Sequence, residues 1–210
     1  MAGQKRCPKI ILEGTRLTQK TELAFKLNEH PRLVGERKYR YHSPVISAEW
    51  CGFTNYPWGR GLINFNPDEY DLAMETYATW CRLFGQLRYY SWIVDRFHLS
   101  TRYYQRQAHG LEIDFSELEI VLKELGFHLV LCTRDANTFE AARAERLKVS
   151  GNPSQYDDLD TFVTEQEVFR DLARESILPC REVNVGRDSL YDLANEIADW
   201  LESTGGLWME

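Results

Sequence analysis

A short apolar run that leads directly into a polar loop and a helical pattern limits the fold more than any other feature. The run at 9–12, Lys-Ile-Ile-Leu, is rich in β-branched residues and predicts a buried strand. The stretch 20–30 places Leu23 and Leu27 at helical spacing, and Pro31 ends that helix. This part of the chain is therefore predicted to form a strand, a loop and a helix in succession.

The same alternation continues along the rest of the sequence. Further strands are predicted at 91–94, 127–132 and 181–185. Helices are predicted at 68–90, 118–125, 138–148, 161–175 and 189–201. The first of these helices is expected to have a stripe that includes Leu72, Thr76, Thr79 and Leu83. Strands alternating with helices predict an α/β fold, a doubly wound parallel sheet with flanking helices.

The composition and the net charge of the chain limit the classes of function that it can have. The 210 residues are 43% hydrophobic and 27% charged, which is typical of one globular domain, here 1–210. The net charge of −7 gives no general affinity for nucleic acid or an anionic membrane, although it leaves room for a local basic site. The apolar run at 10–12 is too short for a signal peptide or a membrane span, and the five scattered cysteines lack a CxxC pair. We therefore expect a cytoplasmic protein with reduced thiols and no membrane partner.

The loop between the first strand and the first helix carries residues in the order of a phosphate-binding P-loop. Against the pattern G-x-x-x-x-G-K-[ST], its residues are Gly14, Thr15, Arg16, Leu17, Thr18, Gln19, Lys20 and Thr21. Backbone N–H groups in such a loop bind phosphate at a helix N-terminus. Lys20 would reach the β and γ phosphates, and Thr21 would present its hydroxyl to Mg²⁺. The loop thus predicts a nucleotide triphosphate donor, ATP, together with Mg²⁺.

One position of the loop departs from the pattern. Gln19 stands where the pattern has its second glycine. Glycine at that point lets the backbone take an unusual conformation close to phosphate. Glutamine therefore implies strain, a reshaped loop or weaker triphosphate binding. The alternative interpretation is a helix N-terminus that carries Lys-Thr by chance.

A second polar segment follows the predicted strand at 91–94. The sequence at 95–105, Asp-Arg-Phe-His-Leu-Ser-Thr-Arg-Tyr-Tyr-Gln, resembles the thymidylate kinase signature D-R-x-x-x-S-x-x-A-Y-Q. Together with Glu13-Gly14 and Lys20-Thr21 upstream, this makes the chain similar to the thymidylate kinase-like P-loop kinases. The resemblance follows the order of elements over most of the chain, but in letters it rests on two short segments.

The resemblance and the chemistry of this segment imply the same roles. Asp95, at a strand end facing the phosphate loop, would hold Mg²⁺ through water or take a proton from an acceptor hydroxyl. Arg96 is a bidentate fork suited to an acceptor phosphate or to the transferring group. Ser100, Tyr104 and Gln105 would contact the acceptor, the last two by base stacking and base-edge hydrogen bonding. The alternative interpretation makes Asp95 and Arg96 a structural ion pair.

The segment 136–160 resembles the lid of this family. Arg143 and Arg146 are three positions apart and share a helix face, and 150–153, Ser-Gly-Asn-Pro, would act as a hinge. The resemblance implies that these arginines close over the phosphates and stabilise charge in the transition state. The alternative is a solvated charged helix face, paired through Glu140, Glu145 and Lys148.

The segment 31–66 is rich in aromatic and basic residues, and it lies where nucleotide kinases place their acceptor-binding part. Its candidate acceptor-binding residues are Arg40, Trp50 and Phe53, because aromatic rings stack on bases and arginine meets phosphates. The alternative is a local core that covers the edge of the sheet.

Two departures from the family disfavour thymidine monophosphate as the acceptor. Arg16 replaces a carboxylate that thymidylate kinases commonly carry, and Tyr103 replaces the small alanine of the signature. The sequence therefore predicts an ATP-dependent phosphotransferase acting on a nucleoside, nucleotide or modified pyrimidine base. Two alternatives stay open: a kinase of a 5-hydroxymethylated pyrimidine within DNA, and a non-catalytic nucleotide-binding regulatory protein. A homodimer is compatible with each of these functions.

Overall fold

A five-stranded parallel sheet organises the chain in a computed structural model that describes residues 5–34, 43–50 and 61–209. Its strands are β2 (Lys9–Glu13), β3 (Val45–Ser47), β4 (Trp92–Asp95), β5 (Phe127–Thr133) and β6 (Cys180–Asn184). Their order across the sheet is β3-β4-β2-β5-β6. A separate antiparallel pair joins β1 (Lys5–Arg6) to β7 (Trp208–Met209).

The helices that connect the strands are α1 (Lys20–Glu29), α2 (Tyr70–Gln86), α3 (His98–His109), α4 (Ser116–Glu124), α5 (Phe139–Leu147), α6 (Leu159–Glu175) and α7 (Leu190–Ser203). Within the described ranges, each helix is too short or too polar to cross a membrane.

Alternate residues of the central strand β2 point to opposite faces of the sheet, because side chains alternate along a strand. Ile10 and Leu12 pack into a cluster with side chains of α1 and α7, among them Leu23 and Ile197. Ile11 packs on the other face, in a cluster with side chains of α2, α3, α4 and α6. Both faces are thus covered, and the predicted doubly wound α/β sheet with flanking helices is confirmed.

Parallel pairing brings the carboxyl ends of the strands to one edge of the sheet. Leu12 of β2 and Ser47 of β3 both pair with Asp95 of β4, and Glu13 pairs with Leu131 of β5. Ligands of open α/β sheets bind outside this edge. The phosphate loop after β2 and the polar segment after β4 are therefore neighbours in space.

The predicted stripe of α2 is wrong in its positions. Leu72 is 51% exposed and Leu83 is 40% exposed. The buried face instead carries Ala73, Tyr77 and Phe84, each shifted by one position from the predicted stripe. Tyr77 and Phe84 pack against aromatic rings of the core, and aromatic side chains bury more apolar area than leucine or threonine.

Besides the short pair of β1 and β7, two elements next to the phosphate loop were not predicted from the pattern. Strand β3 lies inside the irregular segment 31–66, where it forms the edge of the sheet next to β4. Helix α3 has a low apolar content and begins immediately after the Asp95-Arg96 pair. Its start depends on a contact with β2, described below, that no local pattern shows.

Candidate active site

The phosphate loop leaves β2 at Gly14 and packs closely on the neighbouring strand. Gly14 has a φ of 135°, and a Cβ atom there would lie 2.3 Å from the carbonyl oxygen of Cys132 on β5. A larger residue would therefore collide with the backbone of the sheet. Glycine at this position sets the direction in which the loop turns toward α1.

Gln19 adopts the backbone conformation that glycine would normally supply. It is the N-cap residue of α1 and has φ 48° and ψ 31°, in the left-handed region. Leu17, two positions earlier, also has a positive φ of 65°. A left-handed conformation costs a non-glycine residue ~1–2 kcal/mol. Of the three consequences expected for Gln19, the structure shows backbone strain.

Arg134, which follows β5, supports this strained loop. Its Nε donates a 3.0 Å hydrogen bond to the carbonyl oxygen of Leu17, and its Nη2 donates at 3.4 Å to Oε1 of Gln19. The side-chain amide of Gln166 holds the Arg134 backbone through hydrogen bonds to its N–H and its carbonyl. Sequence analysis missed Arg134, although its place directly after a strand end was a usable signal.

Lys20 is buried beneath the loop and is held by the loop itself. Its Nζ donates to the carbonyl oxygen of Thr15 at 2.6 Å and to the hydroxyl of Thr18 at 3.1 Å. Burial, followed by the nearby Arg96 guanidinium, lowers the pKa of Lys20 from 10.5 to about 8, against the opposing effect of Asp95. The ammonium group is thus ready to exchange a backbone carbonyl for a phosphate oxygen.

Thr21 and Asp95 are joined directly. The Thr21 hydroxyl donates a 2.5 Å hydrogen bond to Oδ2 of Asp95. Asp95 is only 6% exposed, and within the described ranges its Oδ1 has no hydrogen-bond partner. A carboxylate and a hydroxyl are the hard oxygen ligands that Mg²⁺ prefers. The donor set and the unpartnered oxygen therefore fit a Mg²⁺ ion, held directly or through water.

Glu13 organises the start of α3 from the end of β2. Its fully buried carboxylate accepts hydrogen bonds from the backbone N–H groups of Phe97, Leu99 and Ser100, and from the Ser100 hydroxyl at 2.5 Å. A negative charge at a helix N-terminus is favourable. Glu13 thereby fixes the segment that carries Asp95 and Arg96 against the phosphate loop.

The ion-pair partner of Arg96 is Glu49, and not Asp95, its neighbour in the sequence. Its Nε lies 3.3 Å from Oε2 of Glu49, just beyond β3, and its Nη1 donates at 3.2 Å to the Ser100 hydroxyl. Its φ is 62°, so the backbone turns sharply after Asp95. The described contacts therefore pair Arg96 with Glu49, against the alternative interpretation of a structural ion pair between Asp95 and Arg96.

The chain is similar to known proteins in its structure and not detectably in its sequence. No protein-family model matches the chain, and no curated protein sequence does so significantly. A YorR protein from Bacillus subtilis, whose structure is a complex with phosphorylated GDP, is similar at a TM-score of 0.62 and 18% identity, covering 94% of this chain and 97% of that one. Thymidylate kinase from Candida albicans is similar at a TM-score of 0.54 and 15% identity, and the match covers 98% of this chain and 96% of that one. The chain has the thymidylate kinase-like P-loop kinase fold.

Beside the P-loop of this kinase fold lies a pocket of about 60 Å³, called the polar pocket below. Its charged and aromatic lining residues are Arg16, Glu49, Arg96, Tyr103, Tyr104, Glu165 and Phe169, and Ile63, Asn64 and Ser100 complete the wall. The predicted acceptor residues Arg96, Ser100 and Tyr104 are thus brought together. Glu49 and Glu165 were missed, because each reaches the pocket from a distant part of the sequence.

Gln105 is placed differently from the other predicted acceptor residues. It is fully buried and does not line the polar pocket. Its amide nitrogen donates to the backbone carbonyls of Ile63 at 3.1 Å and Phe65 at 2.9 Å. These contacts hold the wall of the pocket, and a direct contact of Gln105 with an acceptor stays a prediction.

Three other predicted acceptor residues cannot be placed in the pocket. Arg40 and Phe53 lie outside the described residues. Trp50 ends a short 3-10 turn (Ala48–Trp50), and its side chain also lies outside the described part. Their contribution to the acceptor site stays a prediction.

The arginines of the predicted lid contact lid residues. Nη1 of Arg143 lies 3.8 Å from Oε2 of Glu140, and its Nη2 lies 3.6 Å from Oδ1 of Asp157. Nε of Arg146 donates a 3.1 Å hydrogen bond to the Tyr156 hydroxyl. The pairing with Glu140 matches the charged-face interpretation of α5. Within the described ranges, neither arginine forms a hydrogen bond or an ion pair with the P-loop.

A small apolar cluster nevertheless connects the predicted lid to the P-loop. Phe139, Tyr156 and Phe162 form its buried part, and Leu17 of the loop packs against them. The predicted lid and the P-loop are therefore in apolar contact at Leu17, one of the two loop residues other than glycine with a positive φ.

Proposed function

We propose that this chain is an ATP-dependent phosphotransferase that uses Mg²⁺ and acts on a nucleoside, nucleotide or modified pyrimidine base. The observation that carries the proposal is the joined Thr21–Asp95 pair beside the buried Lys20, with one oxygen of Asp95 unpartnered among the described residues. This combination supplies a cation and a hard oxygen pair at the one place where the loop backbone can bind phosphate.

The loop and Lys20 would bind the triphosphate of the donor. The N–H groups of the loop bind phosphate oxygens, and Lys20 leaves the Thr15 carbonyl to contact the β and γ phosphates. Thr21 and Asp95 would hold the Mg²⁺ ion, which neutralises charge on those phosphates when it is bound. The Lys20 charge then acts mainly as the γ-phosphoryl group is transferred, because charge redistributes in the transition state.

The arginines of the predicted lid would complete the site when the lid closes. Arg143 and Arg146 are held by Asp157 and by Tyr156, both in or beside the 3-10 turn Pro153–Tyr156. Closure requires these contacts to be exchanged for contacts with the transferring phosphoryl group. Such an exchange excludes water and adds positive charge only when substrate is present.

The polar pocket would hold the acceptor next to the phosphates. It contains aromatic rings, hydroxyl groups and charged groups of both signs, which suits a nucleoside or a nucleotide better than an apolar compound. The thymidylate kinase among the structural neighbours, and the YorR protein whose structure contains phosphorylated GDP, support an acceptor of this class.

One observation favours the alternative of a non-catalytic nucleotide-binding protein. Leu17 and Gln19 both hold positive φ in a loop that usually relies on glycine, and this strain would weaken triphosphate binding. The intact contacts of Lys20, Thr21 and Asp95 support the kinase over this alternative. We place the activity in a reducing compartment such as the cytoplasm, because the described cysteines are free thiols.

The test is transfer of labelled γ-phosphate from ATP to a panel of nucleosides, nucleotides and modified oligonucleotides. We expect Lys20→Ala to lower turnover by ~10²-fold or more. Lys26→Ala on the exposed face of the same helix is the matched control and should retain activity. Equal turnover of folded Lys20→Ala and wild type, or wild type that binds ATP but labels no acceptor, would contradict the proposal.

A further inference from the structure

The guanidinium of Arg134 lies between the phosphate loop and the start of the predicted lid. The residue follows β5 directly and is 7% exposed. Its Nε donates a 3.0 Å hydrogen bond to the Leu17 carbonyl, and its Nη1 and Nη2 donate at 3.4 Å to the Thr138 carbonyl and to Oε1 of Gln19. Leu17 and Gln19 are the two loop residues, other than glycine, that have a positive φ. One buried arginine therefore contacts both strained residues of the loop.

The position of this guanidinium is fixed by parts of the chain outside the loop. The side-chain amide of Gln166, on α6, binds the N–H of Arg134 at 2.7 Å and its carbonyl at 3.0 Å. Gly186, which follows β6, packs so closely that a Cβ atom there would lie 3.2 Å from Cγ of Arg134. Burial lowers the pKa of Arg134, because little water reaches its charge, and hydrogen bonds are stronger where water is removed. The guanidinium is thus held in place before any ligand binds.

The hydrogen bond to the Leu17 carbonyl determines the direction of the next amide group. In a planar trans peptide the C=O and the N–H point to opposite sides of the C–N bond. Because Arg134 holds the carbonyl of Leu17, the N–H of Thr18 is directed away from Arg134. Backbone N–H groups are the part of such a loop that binds phosphate. Arg134 therefore controls the orientation of a phosphate-binding group without lying next to it in the sequence.

The backbone conformation of position 19 explains why the loop needs such support. Gln19 has φ 48° and ψ 31°, a conformation that glycine adopts freely and other residues do not. A strained loop persists only where surrounding contacts hold it. The apparent affinity for a ligand falls in proportion to the fraction of molecules that have the binding conformation. A loop without its supporting contacts would therefore bind triphosphate more weakly.

We propose that Arg134 is a positioning residue for the phosphate donor. Its hydrogen bond to the Leu17 carbonyl holds the loop in the conformation that binds triphosphate, and so replaces the freedom that glycine would supply at position 19. The proposal rests on the phosphotransferase function proposed above and concerns the donor alone. The acceptor would occupy the polar pocket, whose described lining does not include Arg134.

The first experiment measures the binding of ATP and of inorganic tripolyphosphate by calorimetry in the presence of Mg²⁺. Arg134→Met removes the three hydrogen bonds and keeps an apolar stem of similar length beside Gly186. We expect both ligands to bind at least ~10-fold more weakly, the scale of one hydrogen bond from a charged donor. Arg174→Met, at an exposed arginine in the last turn of α6, is the matched control and should bind as wild type does. Circular dichroism verifies that each variant is folded.

The two ligands separate an effect on the loop from a contact with the nucleoside. Similar losses for ATP and tripolyphosphate would support the proposal, because both ligands carry the phosphates. A loss confined to ATP would mean that Arg134 contacts the nucleoside, and unchanged binding of both would mean that the loop does not need it. Either result would overturn the proposal and leave the kinase function intact. If wild type binds neither ligand, the proposed kinase function itself fails.

The second experiment places Arg134→Met in two backgrounds that differ in strain at position 19. In Gln19→Gly the loop conformation is no longer strained there, so the loss of ATP affinity should shrink to ~3-fold or less. In Gln19→Ala the amide is lost but the strain stays, and the loss should remain at least ~10-fold, since the Leu17 contact is still the one removed. A purely structural role would give the same loss in all backgrounds, and that result would overturn the proposal.

Steady-state kinetics gives an independent readout on the same proteins. Arg134→Met should raise the KM of ATP by at least ~10-fold and leave the KM of the acceptor unchanged, because it removes an interaction that supports donor binding. The acceptor is the compound of the panel above that wild type labels fastest. A comparable rise in both KM values would indicate a general loss of structure and would contradict a positioning role for the donor.

Discussion

The hydroxyl of Thr21 donates a 2.5 Å hydrogen bond to Oδ2 of Asp95, a residue 74 positions away in the sequence. This bond ties the first turn of α1 to the end of β4 across the phosphate loop. It also leaves Oδ1 of Asp95 buried and, among the described residues, without a partner. The start of α1 and the end of β4 therefore share one oxygen-lined position, as expected for a divalent cation beside a triphosphate.

Asp95→Asn should weaken Mg²⁺-dependent ATP binding by ~10–100-fold, because an amide keeps the shape of the side chain but loses its charge. The measurement is titration calorimetry with ATP in the presence of Mg²⁺ and in EDTA. Asp71→Asn, on the exposed face of α2, serves as control. The same loss of affinity in EDTA as in Mg²⁺ would show that Asp95 does not act through the metal.

The pH dependence of ATP binding should report Lys20. Its pKa of about 8 lies below the ordinary lysine value of 10.5, so the free protein loses this proton as the pH rises through 8. ATP affinity should therefore fall by up to about tenfold between pH 7 and pH 9, one factor of ten per pH unit above the pKa. Lys20→Arg, which stays protonated, should show a flat profile over this range. A wild-type profile that is equally flat would contradict the assignment.

Folding stability should change in the opposite sense with pH. The unfolded chain holds the Lys20 proton up to about its ordinary value of 10.5, whereas the folded chain releases it near 8. Because the unfolded state binds more protons in this window, the contribution of Lys20 to stability rises as the pH increases from 8 toward 10.5. Urea unfolding of wild type and Lys20→Met at both ends of the window measures the difference, and a contribution that falls with pH would refute it.

Local patterns predicted β2, β4 and β5 because each is a run of buried, mostly apolar residues that ends at a polar residue. The 9–12 run and the 91–94 run both correspond to strands of the sheet. The pattern failed for α3, whose N-terminal N–H groups are satisfied by Glu13 from another strand. It also misplaced the buried face of α2, since the choice between adjacent faces depends on which aromatic rings meet in the core.

The site was predictable where one short segment carries it, and was missed where distant segments meet. Lys20, Thr21 and Asp95 were recognisable from the order of residues after strand ends. Glu49 and Glu165 lack such a signal, because one follows an edge strand in an irregular segment and the other lies within a helix. Only the parallel register of the sheet and the packing of α6 bring them to one pocket.

Glu13→Gln should destabilise the fold by ~1.5–3 kcal/mol, the range for hydrogen bonds to a charged group. Its carboxylate accepts hydrogen bonds from three backbone N–H groups at the start of α3 and from the Ser100 hydroxyl. The side-chain amide of glutamine has only one oxygen atom to accept them, where the carboxylate has two. For a chain of this length the melting temperature should fall by about 2–4 °C per kcal/mol. Glu117→Gln is a matched helix-start control, and equal melting temperatures for the two variants would contradict this role.

Gln19→Gly should tighten ATP binding by a few-fold, because glycine adopts the left-handed conformation of position 19 without the ~1–2 kcal/mol that glutamine bears. Part of this gain is offset by the lost contact with Arg134, which at 3.4 Å is a weak hydrogen bond. Gln19→Ala separates the two effects, since alanine loses the amide but keeps the strain, and it should bind ATP no more tightly than wild type. Calorimetry on the three proteins decides between them. Weaker binding by Gln19→Gly would mean that the Gln19 amide itself contacts the phosphates, and that Arg134 orients it for that purpose.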